Sequence, residues 1–114
     1  MIITLCGSTR FMDLYHEASL RLSLAGHIVY SVTTSVKGDW TPTMEEKCKL
    51  DIVHLSKIDN SRAILVITDE TEYVGESTIR EIYYAIAHGK DIFYLNKPQD
   101  RERLIAGWEK EDGS

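Results

Sequence analysis

The sequence predicts an α/β fold: a parallel sheet of about four strands, ordered 2-1-3-4, between two layers of helices. Three observations carry that expectation. Short β-rich runs alternate with segments of helical period along the whole chain, giving β-α-β-α-β-α-β-α. The third run, Ala-Ile-Leu-Val-Ile from Ala63, is apolar without interruption, as in a central parallel strand covered on both faces. Glycines and polar residues stop each segment where a right-handed crossover needs a turn.

In order, Ile2–Cys6 is an apolar run that ends at Gly7-Ser8. Phe11, Leu14, Tyr15, Ala18, Leu22 and Ala25 then share one helical face, and Gly26 closes that helix. His27–Val32 is the second β-rich run, and residues 33–42 read as a polar loop carrying Trp40. Thr43 and Glu46 form a T-x-x-E capping box for the next helix, whose inner face is expected to hold Cys48, Ile52 and Leu55. Ala63–Thr68 is the buried third strand. Tyr73–Gly89 reads as a loop feeding a helix that starts at Gly75-Glu76-Ser77-Thr78 and ends in a left-handed cap at Gly89. Ile79, Ile82, Tyr83 and Ile86 are its expected buried face, and on that spacing Glu81 falls outside the core. Asp91–Leu95 gives the fourth strand, and Pro98 opens a last amphipathic piece with Leu104, Ile105 and Trp108.

With 114 residues and 43% hydrophobic content, residues 1–114 are expected to form one domain that needs neither disulfide nor metal to fold. A net charge of -5 and the absence of a Lys/Arg block argue against binding polymeric nucleic acid or an anionic membrane. Cys6 and Cys48 lack C-x-x-C spacing and read as reduced thiols of a cytoplasmic protein. The apolar run at the N-terminus is too short for a signal peptide or a membrane span. His16, His27 and His88 show no ligand spacing, so neither a metal site nor a cofactor is expected.

In a doubly wound, flavodoxin- or Rossmann-like three-layer αβα sheet of this order, ligands bind beyond the carboxyl ends of strands 1 and 3. Gly7-Ser8-Thr9-Arg10 and the stretch Asp69–Ser77 meet there. The first offers a flexible glycine, two hydroxyls and a cation to a phosphate or carboxylate; the plainer reading is a helix cap beside a solvated arginine. It is neither a Walker loop nor a G-x-G-x-x-G turn. Glu81 reads either as a surface carboxylate or as a nucleophile, kept ionised by the helix start and flanked by small Thr78 and Ala85, which let a sugar or another subunit approach. Glu76 is its rival, better explained as complementing the helix dipole. Asp51 and His54, three apart, share a face with Lys47 and Ile58; they form a proton-shuttling pair, or His54 is a partly buried polar residue. Trp40 and Tyr73 either stack on a base or pack their loops onto the body.

The segments ITLCGSTR, HLSKIDNSRAILVI and YVGESTIREIYYAIAHGK, in this order and spacing, resemble the nucleoside 2-deoxyribosyltransferase-like superfamily. Within it they are most similar to the small 2′-deoxynucleoside 5′-monophosphate N-glycosidases, over about residues 2–97. The resemblance implies cleavage or transfer at an N-glycosidic bond, a small nucleoside or nucleotide as partner, and a homo-oligomer. By position it puts the nucleophile on Glu81, phosphate contacts on Ser8 and Arg10 beside Gly7, and further phosphate contacts on Gly75 and Ser77. Where the family usually carries an aspartate near the leaving base, this chain has His54; Asp51, one turn earlier, is the substitute carboxylate. That departure leaves an alternative, a nucleotide-binding or sensing module without catalysis. A cytokinin-releasing phosphoribohydrolase ranks lower, since its P-G-G-x-G-T turn is absent.

Overall fold

The structure, a computed structural model, describes residues 1–33 and 41–112, so Trp40 lies outside the described residues. Strands β1 (Ile2–Gly7), β2 (Ile28–Tyr30), β3 (Ala63–Ile67) and β4 (Asp91–Tyr94) form one sheet in the order β2-β1-β3-β4. Every pairing is parallel, as the alternation of segments requires. The helices are α1 (Met12–Leu24), preceded by a 3-10 turn over Thr9–Phe11, α2 (Met44–Asp59), α3 (Glu76–Ala87), α4 (Pro98–Leu104) and α5 (Trp108–Asp112). The last amphipathic piece is thus two short helices, broken at Gly107, whose φ of 87° is left-handed. Gly89, at φ 71°, closes α3 as expected.

The period of two along the strands splits the core into two layers. Ile3, Leu5, Leu65, Ile67 and Phe93 face α1 and the C-terminal helices, where Tyr15, Ala18, Leu22, Leu104, Ile105 and Trp108 pack on them. Cys6, Ile64 and Val66 face the other way, toward Ile58 of α2 and Ala85 of α3. Cys6 is thereby turned toward the helices that carry the candidate site.

Two helix faces depart from the sequence expectation. In α3 the buried residues are Thr78 and Ala85, with Ile82 half-buried, while Ile79, Tyr83 and Ile86 are 40%, 69% and 56% exposed. Apolar period reports any stripe that something covers, and here the strongest stripe points away from the sheet while small residues face it. Glu81, at i+3 from Thr78 and i−4 from Ala85, therefore lies on the inward face, contrary to the expectation that the core would not bury it. In α2 the buried residues are His54 and Ile58; Leu55 is half-buried, and Cys48 and Ile52 are exposed rather than inward. The face that Lys47, Asp51, His54 and Ile58 were expected to share is the one that looks inward.

The Thr43–Glu46 capping box forms in full: Thr43 Oγ1 accepts from the Glu46 N–H at 3.2 Å, and the Thr43 N–H donates to Glu46 Oε1 at 2.9 Å. Thr43→Ala is expected to lower stability by about 1 kcal/mol, read from the midpoint of urea denaturation at unchanged slope.

Candidate active site

β1 and β3 end side by side, with Gly7 opposite Ile67. A Cβ on Gly7 would lie 2.6 Å from the Ile67 carbonyl oxygen, so only glycine fits where β1 turns toward α1. Tyr15 donates its hydroxyl to the Gly7 carbonyl at 2.7 Å and fixes the same turn from below. Ser8 is the cap of the 3-10 turn, its Oγ accepting from the Arg10 N–H at 3.2 Å, and it also lines the crevice above. The two sequence readings of Ser8 are thus compatible.

Beyond β3 the chain turns through Asp69–Tyr73. Thr68 Oγ1 donates to the Tyr73 carbonyl at 2.7 Å, and Asp69 accepts from both the hydroxyl and the N–H of Thr71. Those two bonds, the hydroxyl's first, hold the Asp69 carboxyl below its usual range. Gly75 then caps α3 in extended conformation, φ -81° and ψ 172°, with no side-chain bond to the first turn. The first-turn N–H groups of a helix have no partner within the helix itself.

Between these loops and α2 opens a crevice of about 930 Å³, within the range of small-molecule sites. Gly7, Ser8, Gly75 and Ser77 line one end, and Asp51, His54 and Glu81 line its floor and α2 wall. Seven of the eight side chains and glycines singled out from sequence for catalysis or binding therefore share one cavity. Arg10 stands apart: it is not among the lining residues, and its guanidinium carbon sits 3.8 Å above the centre of the Tyr73 ring, which Phe11 also approaches. Tyr73 packs its loop in this way, the plainer of its two sequence readings. Two cations also line the crevice: Lys47, which the sequence placed on the face of Asp51 and His54 without a role, and Arg80, which it did not name.

At the floor, His54 Nε2 is 3.5 Å from Cys6 Sγ and 3.8 Å from Glu81 Oε1. Cys6 is fully buried, His54 is 7% exposed and the Glu81 side chain 17%. Burial pushes the Glu81 carboxyl up to about 7, and the nearby Asp51 carboxylate adds to this; a hydrogen bond from Cys6 and the charges of Lys47 and Arg80 act in the opposite direction. Desolvation outweighs the helix start, which was expected to keep Glu81 fully ionised. Burial, then the Lys57 charge, lowers His54 to about 4 against the pull of Asp51, so the imidazole is neutral at pH 7 and its contact with Glu81 is no ion pair. Burial and the Glu81 charge raise the Cys6 thiol well above its ordinary value, so it stays protonated. Tyr15, raised chiefly by burial, likewise keeps its proton. Cys6 is the functional candidate missed in the sequence; alternation along β1 could have found it, since it shares a sheet face with Ile64 and Val66 under α2 and α3.

The chain's sequence matches no family model and no curated protein. Its structure is similar to solved enzymes. A 2-deoxyribosyltransferase from the psychrotolerant bacterium Bacillus psychrosaccharolyticus superposes with TM-score 0.67 at 15% identity, covering 100% of this chain and 92% of that one. The CMP N-glycosidase of Clostridium botulinum superposes with TM-score 0.58 at 17% identity, covering 98% of each. A 2-deoxyribosyltransferase from Leishmania mexicana gives TM-score 0.58 at 16% identity over 83% of this chain and 63% of that one. The four-stranded parallel 2-1-3-4 sheet among helices, the order that the alternation of segments predicted, is an α/β fold consistent with these structures.

Proposed function

We propose that the chain cleaves, or transfers at, the N-glycosidic bond of 2′-deoxynucleosides or their 5′-monophosphates, with Glu81 as nucleophile. The observation that carries this reading is a largely desolvated carboxylate on the floor of an open crevice, beyond the carboxyl ends of the central strands and 3.8 Å from His54 Nε2. The fold shared with 2-deoxyribosyltransferases and a CMP N-glycosidase supports it.

Glu81 attacks C1′ as the bond to the base breaks, through an oxocarbenium-like transition state, and the sugar is held as an ester until water or a second base takes it. Burial suits this step. The carboxylate's charge is disfavoured in the resting site and is lost as the ester forms, so desolvation raises the ground state more than the transition state. Neutral His54 keeps an N–H to offer the departing base, and Asp51, paired with Lys47 at 3.1 Å, sits one turn further out on the same wall. A 5′-phosphate would rest on the first-turn N–H groups at Gly75–Ser77 and the Ser8 hydroxyl, with Lys47 and Arg80 adding positive charge.

Since only ionised Glu81 attacks, kcat/KM is expected to rise about tenfold per pH unit up to about 7 and to level off above it. Chromatography of products from the four deoxynucleosides and their monophosphates, with and without added free base, tests the reaction and separates hydrolysis from transfer. The second reading, a binding module, is favoured by one observation, a His54 that is uncharged at pH 7 and so offers a hydrogen bond but no acidic proton to a leaving base. Saturable calorimetric binding without any free base would establish it.

We also propose self-association in solution. Ile79, Tyr83 and Ile86 of α3, with Ile52 and Val53 of α2, are exposed apolar residues on two adjacent helices. Sedimentation of a single species at monomer mass across the concentration range would overturn it.

A further inference from the structure

We propose that Cys6, His54 and Glu81 form a binding site for a tetrahedral divalent transition-metal ion, zinc by its chemistry, and that the bound ion caps the carboxylate. The three ligand atoms lie within 4.8 Å of one another. A zinc ion with bonds of about 2.3 Å to sulfur and about 2.0–2.2 Å to nitrogen and oxygen sets its ligand atoms about 3.4–3.6 Å apart at tetrahedral angles. Sγ to Nε2 is 3.5 Å and Nε2 to Oε1 is 3.8 Å, near those spacings, and the thiol and carboxylate, within 4.8 Å of each other, close the rest by side-chain rotation.

Charge and donor type agree. A dication with one thiolate, one carboxylate and a neutral imidazole makes a centre of zero net charge, which a largely desolvated floor accepts more readily than any single ion. Sulfur and imidazole select zinc or cobalt over magnesium and calcium. Coordination displaces the thiol proton, and any proton on Glu81, to solvent; no redox step is involved. Three protein ligands leave a fourth position directed to the crevice that His54 and Glu81 line. The ligands come from β1, α2 and α3, so no short sequence spacing reveals them.

Binding of the ion stands independently of the proposed reaction; its inhibitory effect rests on Glu81 being the nucleophile. The test is titration of the metal-free, reduced chain with Co²⁺ in a non-thiol reductant. The expected result is a near-ultraviolet thiolate-to-cobalt charge-transfer band that saturates at one ion per chain, persists in Cys48→Ser and vanishes in Cys6→Ser. Glu81→Gln, at the crevice floor, is expected to weaken cobalt binding by about tenfold or more, and it decides the matter if Cys6→Ser does not fold. No band, a band that follows Cys48, or unchanged affinity in Glu81→Gln would overturn the site. Zinc is expected to suppress base release at least about tenfold, reversibly by chelator. Full turnover with the ion bound would overturn the capping, whereas no turnover even without metal is a failure of the N-glycosidic reading and leaves the cobalt spectrum to decide the site.

Discussion

Glu81→Gln is expected to lower base release by about three orders of magnitude or more while making the folded protein more stable above neutral pH. The first effect follows from removing the atom that forms the bond to C1′, for which an amide is no substitute. The second follows from burial. Between the ordinary carboxyl value of 4.5 and about 7, the folded chain holds a proton on Glu81 that the unfolded chain has released. Stability therefore falls as pH rises through that interval, by about 1.4 kcal/mol per unit of pKa difference and about 3 kcal/mol in all. Glutamine removes this loss. His54 acts in the opposite sense: between about 4 and 6.5 the unfolded chain binds a proton that the folded chain refuses, so stability rises with pH there. In the native protein the two slopes oppose each other over most of their range. In Glu81→Gln only the His54 limb remains, and urea midpoints are expected to climb from acid to neutral pH and then stay flat. Turnover close to that of the native chain would end the nucleophile assignment, and a variant no more stable than the native protein above pH 7 would show that Glu81 is not desolvated.

Gly7→Ala is expected to destabilise the fold by about 2–3 kcal/mol and to remove binding with it. The added methyl would stand 2.6 Å from the Ile67 carbonyl oxygen and 3.0 Å from its Cβ, both held by the two central strands of the sheet. Neither strand can retreat without parting a ladder buried on both faces. Gly75→Ala is the control: its methyl meets only the Tyr73 hydroxyl, at 3.5 Å, and its φ of -81° suits any residue. Denaturation midpoints of the two variants, measured together, separate the close approach at Gly7 from a general intolerance of the crevice loops.

Features set by local chemistry were legible in the sequence. The unbroken apolar run at Ala63, the Thr43–Glu46 box, the stop at Gly89 and the alternation that orders the sheet all appear where they were expected. The meeting of the Gly7-Ser8 turn with Gly75 and Ser77 at one crevice followed from that order, whereas Asp51, His54 and Glu81 were brought to it by the resemblance. What failed was orientation about the helix axes. Ile79, Tyr83 and Ile86 form the stronger apolar stripe, yet α3 presents Thr78, Glu81 and Ala85 inward, because a site needs small and polar side chains where a core would put large apolar ones. The same reversal hid the depth of Glu81, and with it the raised carboxyl. Cys6 escaped notice because its partners come from helices that begin about 40 and 70 residues further along the chain.

The stacking of Arg10 on Tyr73 has a consequence for the mouth of the crevice. Beside the tilted Phe11–Tyr73 pair, it ties the two loops that flank the strand ends by a solvent-facing cation–ring contact worth about 0.5–1 kcal/mol. So weak a clasp parts on thermal motion alone, and an arriving anion need supply little to draw the guanidinium off its ring. The two loops are therefore loosely latched above a rigid base, and losing the guanidinium from the ring costs the fold little.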